Sequence, residues 1–418
     1  MNPIRVIQLL DGGEAFGVPH GIARMLEAHD PARVRVEGLF LGRGPGYELL
    51  APRFAAAHDL GVGPLFPLRR PGGVKYDPLF LSRRAVVGGR CLIAASGFLR
   101  RERPHVIHTR RWELALLAWL ASRGLPVRRI WHAHGTYQFG GRRSTWFERF
   151  ARRSMHCIVA NSRFTRDSFP ESLRGMIRVV HNGAPVERLR REARPGEFRR
   201  RFGVQPDEKL VGIFGAVVPI KGHIYFLEAA RHVLDATSKR RNVETPNLNG
   251  CGEGLKVRFA IVGGTTDAYE RMGALDELAV NIRRLELEGQ VIQTGYLPGA
   301  TAYMGDFDVI AMPSAWTSWQ KGEGFGNVMI ESMAMGVATI ATRWAAVPEV
   351  IEDGVDGLLV PPREGRALGE AMLRLLRDDA LRRRLGAAGY DKVRREFDAR
   401  VVAARLEDVY EEEAAELV

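Results

Sequence analysis

Glu323-Gly324-Phe325-Gly326-Asn327-Val328-Met329-Ile330-Glu331, followed at once by Ser332-Met333-Ala334-Met335-Gly336, is the stretch that decides how this chain is read. A turn bracketed by glycines opens an apolar run, and one carboxylate stands on each side of the opening. Phe325 to Ala334 holds good helix formers and no proline, so it is expected as a helix, with Glu323 in the loop before it and Glu331 on its second turn. The free N–H groups of a helix start favour a phosphate. A nearby carboxylate accepts hydrogen bonds from the hydroxyl pair of a ribose or sugar. An anion site with hydroxyl acceptors at this spacing suits a nucleotide sugar. The same residues also allow a plainer arrangement, a helix start with one acid set for the dipole and a second on the solvent face.

The rest of the chain bounds the answer. Its 418 residues are too many for one ordinary core, so two domains are expected. Hydrophobic content of 45% and charged content of 26% are those of a soluble globular protein. No apolar run approaches a membrane span, the best being Leu114 to Ala121. Asp11 and Glu14 interrupt the N-terminus early and no basic start precedes an apolar run, so no signal peptide is expected. Cys91, Cys157 and Cys251 lie far apart, which argues against a zinc site and for a reducing compartment.

Charge is unevenly divided. Residues 1–190 carry 31 Lys+Arg against 14 Asp+Glu, a net of +17, and the remainder carries 30 against 35, a net of −5. The basic half includes Arg100-Arg101, Arg110-Arg111, Arg128-Arg129, Arg142-Arg143 and Arg152-Arg153. Such a field can attract an anionic bilayer surface or a phosphate-bearing acceptor, or serve solubility alone. No zinc finger, RNA-binding aromatic signature or helix-turn-helix favours nucleic acid.

Strand-like and helix-like segments alternate twice. The first series has strands at Ile4–Leu9, Val34–Leu41, His105–Thr109, Arg129–Ala133, Cys157–Asn161 and Arg178–His181, with helices such as Gly21–Glu27 and Trp112–Ser122. After the turn at Asn182-Gly183 comes a polar, Arg-rich stretch to about Gln205. The second series has strands at Leu210–Val217, Val257–Val262, Gln290–Gly295, Val309–Pro313, Thr339–Thr342 and Leu358–Val360, with helices at Tyr225–Ala236 and Ala268–Glu286. The pattern predicts an α/β protein of two doubly wound, Rossmann-like domains, 1–190 and 205–398, with parallel sheets covered on both faces. Ligands of such sheets bind beyond the strands' carboxyl ends. Thr237–Gly254 reads as a surface insertion or a mobile hairpin, and 403–417 as an amphipathic acidic helix.

Other positions carry chemistry by type and place. Gly12 and Gly13 follow the first strand, where paired glycines let backbone approach a phosphate or simply make a tight turn. His132 and His134 stand two apart at a strand end, with no acid or cysteine spaced to complete a metal site. Lys221 precedes Gly222 at a helix entrance, where an ammonium can meet a diphosphate. Gly263 ends a strand. Asp306-Phe307-Asp308 spells a metal-binding DxD, but it precedes the Val309 strand rather than ending one, so no essential metal is expected.

The decisive stretch resembles the signature of the retaining glycosyltransferases of family 4, which have the GT-B fold of two Rossmann-like domains facing a central cleft. Pro313-Ser314, Glu323 to Gly326, Glu331, Ala334-Met-Gly336, Ile340-Ala-Thr342, Pro348-Glu349, Gly354 and Gly357-Leu-Leu-Val360 match in order. The resemblance implies that Glu331 holds the donor ribose and that Glu323 and His134 face the transferred sugar as catalytic contacts. It implies that Gly324, Phe325, Gly326 and Asn327 line the phosphates and sugar by their backbone, and that Gly13, Lys221 and Gly263 complete the donor site. It implies a last helix, about 400–418, crossing back to the first domain. Two departures stand out. Ala216 takes the place of the family's arginine, so that either another cation such as Arg343 serves or donor binding is weak, and Ala345-Ala346 takes the place of Gly-Gly.

The resulting expectation is a retaining, metal-independent glycosyltransferase with no cofactor, taking a nucleotide-diphosphate sugar as donor. Its acceptor would be a glycan or lipid-linked saccharide in bacterial polysaccharide or glycolipid synthesis, reached from the cytoplasm as a peripheral enzyme at the inner face of the membrane. A sugar-nucleotide epimerase of the same fold, or a non-catalytic nucleotide-sugar-binding subunit, are the alternatives.

Overall fold

The computed structural model describes residues 3–13, 18–63, 78–137, 142–238, 254–265, 273–317 and 324–417, together with Glu270. The chain divides into two compact units, residues 1–183 with 399–418, and residues 184–398. The expected site residue Glu323 lies outside the described residues, as do Glu14, Cys251 and most of the 237–254 insertion.

Unit 1 is a parallel sheet of seven strands, β1 (Ile4–Leu10), β2 (Val34–Phe40), β3 (Ala57–Asp59), β4 (Val106–Thr109), β5 (Arg128–Ala133), β6 (Cys157–Ala160) and β7 (Ile177–Val179), in the order β3-β2-β1-β4-β5-β6-β7. Near-continuous apolar runs suit strands covered on both faces. Val6, Val36, Val106, Ile130 and Val159 form one inner face with the helices Val18–Leu26 and Ala399–Ala415. Ile7, Leu9, Leu39, Ile107 and Leu114 pack on the other, continued by Trp131, Ala133 and Ile158. That second face is covered by the helices Pro78–Glu102, Trp112–Ala121 and Arg142–Ser154. The edge strand β3 and the 25-residue helix Pro78–Glu102 were not expected from the sequence.

Residues 399–415 complete this unit. Val402, Leu406 and Tyr410 are buried in its core. The buried Glu407 accepts from His29 Nδ1 at 2.8 Å, from the Asp30 N–H at 2.9 Å and from Arg33 Nη1 at 3.0 Å. The helix enters so close to the strand exit that a methyl group on Gly183 would lie 2.8 Å from Ala399 Cα.

Unit 2 is a parallel sheet of six strands, β8 (Lys209–Phe214), β9 (Val257–Val262), β10 (Val291–Gln293), β11 (Val309–Met312), β12 (Ala338–Thr342) and β13 (Leu358–Val360), in the order β10-β9-β8-β11-β12-β13. The expected strand Leu210–Val217 ends at Phe214, because Gly215 turns with φ 122°. The Arg-rich stretch after Gly183 belongs to unit 2. It forms the helices Val186–Arg191 and Glu197–Phe202, and Val186, Leu189 and Phe198 are buried in unit 2. The DxD-like pair belongs to this packing. Asp306 accepts from the Gly196 and Phe198 N–H groups, and Asp308 from Arg199 Nη2 and the Leu210 N–H, both at 2.9 Å. Both carboxylates thus hold protein partners.

Candidate functional site

In unit 2 the carboxyl ends of β8, β9 and β11 converge through glycines. After β8 comes a tight turn, Pro219–Lys221, closed by Gly222 at φ 72°. A methyl group on Gly222 would lie 2.0 Å from the Pro313 carbonyl oxygen, and one on Gly263 would lie 2.0 Å from the Gly215 carbonyl oxygen. Neither position admits another residue. For Gly263, this backbone contact is sufficient reason for the glycine. The Ala315 N–H donates to the Ile220 carbonyl at 2.9 Å, tying the Lys221 turn to the segment after β11. Lys221 ends its turn beside Gly215, whose added methyl would stand 3.9 Å from Lys221 Cε. Burial, then the nearby Lys221 charge, pushes His223 down to about 4. Ser314 is fully buried, and its carbonyl accepts from Thr342 Oγ1 at 2.5 Å.

The decisive stretch forms a helix over Asn327–Ala334, opened by Gly326 at φ 78°. Phe325 is a core residue, its ring 6.0 Å from that of Phe397. Glu331 is buried on the second turn, so the plainer placement on the solvent face is excluded. Gly324 and Asn327 flank the helix opening, partly exposed. Arg343, the candidate substitute for the missing arginine, pairs with Asp353 at 2.6 Å on the surface. The Ala345 departure has a conformational cost, since this alanine sits at φ 53°, in left-handed space that glycine adopts freely.

Unit 2 also holds a pocket of about 390 Å³, lined by Val218, His223, Tyr225, Asn281, Trp316 and Arg363 among others. Arg363 lies over the Trp316 ring at 5.3 Å and donates from Nε to the Tyr225 hydroxyl at 2.9 Å. Lys221, Gly263 and Glu331 do not line it.

In unit 1, Gly12 turns at φ 87° after β1, and a methyl group there would meet the Gly42 carbonyl oxygen at 2.1 Å. Gly13 follows it, partly exposed. A pocket of about 130 Å³ opens beside it, lined by Asp11, Gly12, Ile22, Phe40, Arg110 and Arg111 among others. His132 and His134 do share one side of the strand end, with rings stacked at 4.3 Å. Their spacing along the chain does not point to the group between them. Arg110 Nη1 donates to His132 Nδ1 at 3.3 Å and to His134 Nε2 at 2.9 Å. A guanidinium only donates, so both acceptor nitrogens are bare. His132 therefore carries its proton on Nε2 and His134 on Nδ1. The lone pairs a metal would take are occupied by Arg110. Burial, and then the Arg110 charge, keep His134 well below the usual histidine range. Burial likewise pushes Arg110 down to about 10. Behind them His108 stacks on His132 at 5.4 Å and shares a 2.6 Å hydrogen bond with the Tyr410 hydroxyl.

Two doubly wound parallel units, the second with a glycine-built junction beyond its strands and a helix opened by Gly-Phe-Gly, define a glycosyltransferase of the GT-B class. The profile "Glycosyl transferases group 1" matches residues 208–378, and "Glycosyltransferase Family 4" matches residues 41–188. The chain belongs to this family. It is 41% identical over 166 residues to a phosphatidyl-myo-inositol mannosyltransferase of Mycobacterium leprae, a match spanning 40% of each chain. It is 26% identical over 327 residues to an alpha-maltose-1-phosphate synthase of Mycobacterium tuberculosis, covering 73% of this chain and 78% of that protein. Its fold resembles that of Anabaena HepE in complex with UDP, with a TM-score of 0.75 at 18% identity, over 98% of this chain and 100% of that one.

Proposed function

We propose that the chain transfers a sugar, with retention and without a metal, from a nucleoside diphosphate sugar to a phosphate-bearing or lipid-linked acceptor. The observation that carries this reading is the pairing, in unit 2, of the glycine-built Lys221 turn with a helix that buries Glu331 on its second turn. Lys221 would meet the diphosphate, Glu331 the ribose hydroxyls, and the backbone at Gly324–Asn327 the phosphates and sugar. The leaving diphosphate gains charge as the glycosidic bond breaks, so a cation and preorganised N–H donors there would favour the transition state. His134, neutral and with its proton on Nδ1, is suited to donate to a sugar hydroxyl. Glu323 is proposed beside the same sugar on the sequence signature alone, and Gly13 and Gly263 as close-approach positions near the donor. The acceptor class rests on the basic first half and on the mannosyltransferase relative, whose name specifies a phosphatidyl-inositol. Such an acceptor would be met at the inner leaflet of the membrane.

A thermal-shift panel of nucleotide sugars tests the donor, because a ligand that binds only the folded state raises the melting temperature. Turnover of the stabilising donor with lipid-linked or phosphorylated acceptors tests the transfer. Isomerisation without acceptor would favour an epimerase, and binding without turnover a non-catalytic subunit.

A further inference from the structure

One face of unit 1 is built unlike the rest of the surface. The helices Pro78–Glu102, Trp112–Ala121 and Arg142–Ser154 lie side by side on one side of the sheet. Their inward residues, among them Cys91, Phe98, Leu114, Ala118, Phe147 and Ala151, fill the core. Their outward residues are chiefly large apolar side chains and arginines. Ile93 is 77% exposed, Val86 64%, Trp146 56% and Trp112 37%, and these are four of the nine exposed large hydrophobics among the described residues.

The middle helix is the informative one. An ordinary surface helix is apolar on one stripe and polar on the other. Trp112–Ala121 is apolar nearly all round, and its outward side still shows Trp112, Leu116, Trp119 and Leu120 partly to solvent. On one side of it Arg90, Arg100 and Arg101 stand exposed around Ile93, and on the other Arg149, Arg152 and Arg153 around Trp146. The acids of these three helices are engaged. Glu102 pairs with Arg5, Glu113 lies 3.7 Å from Arg111, and Glu148 accepts from Ser172. Among the described residues no helix is long and apolar enough to cross a membrane.

We infer that this three-helix face seats unit 1 on the headgroup region of an anionic lipid bilayer, with Val86, Ile93 and the tryptophans entering the interface and the arginines meeting lipid phosphates. Tryptophan and arginine are the side chains such an interface favours. A basic face serving only solubility would not need an isoleucine as exposed as Ile93. A bilayer-borne acceptor is the reading this inference rests on, and the inference adds where the membrane lies against the fold.

The test uses the full chain and vesicles of phosphatidylcholine alone or with phosphatidylglycerol, sedimented at low and high salt. The wild type should bind the anionic vesicles, keep part of that binding at high salt, and show tryptophan quenching by brominated lipid. The double variant Val86→Asp/Ile93→Asp, at exposed positions, should lose roughly tenfold or more in partitioning, as expected for withdrawing one or two large aliphatic groups. Its melting temperature and nucleotide-sugar binding should match the wild type, which separates failure here from failure of the transferase reading. Equal binding by wild type and double variant would overturn the inference, leaving a purely electrostatic surface. So would no binding to anionic vesicles at low salt, or a concentration-dependent dimer that the same variant abolishes, which would give the face to a second copy.

Discussion

Arg110 Nη1 lies 2.9 Å from His134 Nε2, so the N–H of one side chain fixes the tautomer of the other. Replacing Arg110 with methionine keeps the length and removes the donor. His134 is then free to move its proton, and its affinity for a second proton rises because a neighbouring cation is gone. The expected outcome is a shift of the His134 ¹⁵N signals away from the Nδ1–H pattern, with kcat reduced about fivefold to a hundredfold for a loss of about 1–3 kcal/mol and KM for the donor less affected. Unchanged nitrogen shifts would refute the role.

Glu331 is predicted to hold the donor ribose. Glu331→Ala should weaken nucleotide binding by about 1–3 kcal/mol, the value of a hydrogen bond to a charged group. Calorimetry with a nucleoside diphosphate measures this directly, and an intact fold with unaltered affinity would rule the contact out.

Lys221 and Ala216 can be read against each other. Lys221→Ala should weaken binding of a nucleoside diphosphate much more than that of the nucleoside, because only the former carries the phosphates. Ala216→Arg restores the cation found elsewhere in the family and should tighten diphosphate binding. Equal losses for both ligands in the first variant would mark Lys221 as structural.

Ala345 adopts φ 53°. Left-handed backbone costs a residue with a Cβ about 1–2 kcal/mol, part of which glycine returns as unfolded-state entropy. Ala345→Gly should therefore stabilise unit 2 by about 0.5–1 kcal/mol, seen as a higher denaturation midpoint with an unchanged slope. A lower midpoint would contradict it.

Stability should fall on mild acidification. His108, His132 and His134 are held neutral in the fold chiefly by burial, and burial likewise pushes His156 and His223 down to about 4. In the unfolded chain each takes up a proton below about 6.5. The unfolded state then binds more protons, so stability is full above that pH and is lost as pH drops, by up to about 1.4 kcal/mol per pH unit for each such histidine. Glu37, held at about 2 against its burial by Arg5, His58 and Arg35, contributes in full across this range and loses its contribution only below the ordinary carboxylate range. Urea titrations at pH 7.5 and 5.5 check the sign, and equal midpoints would disprove it.

The strands were legible where apolar residues run unbroken, as in Val257–Val262 and Leu358–Val360, because strands buried on both faces leave that mark. The helix carrying Glu331 was legible from its glycine turn and apolar run, although it starts at Asn327 rather than Phe325, which the core claims. The helix Pro78–Glu102 was not. Gly88, Gly89 and Gly97 lower its intrinsic propensity, and its order comes from tertiary packing of Cys91, Ala95, Phe98 and Leu99. Three-residue β3 has no apolar run to see, and its Ala57, His58 and Asp59 are only partly buried. The Arg110 contact was hidden for a different reason. It joins the end of β4 to the end of β5, and only the pairing of those strands brings a guanidinium to two imidazoles.

The placement of residues 399–415 bears on how the chain reaches its native state. During synthesis, the strands of unit 1 emerge first, but Tyr410 and Leu406 belong to their core. The sheet must wait, with that side uncovered, while all of residues 184–398 are made. Unit 2 is contiguous and can fold as it leaves the ribosome. The half made first is therefore the half finished last, and a chain cut short before Ala399 would carry a complete second unit on an incomplete first one.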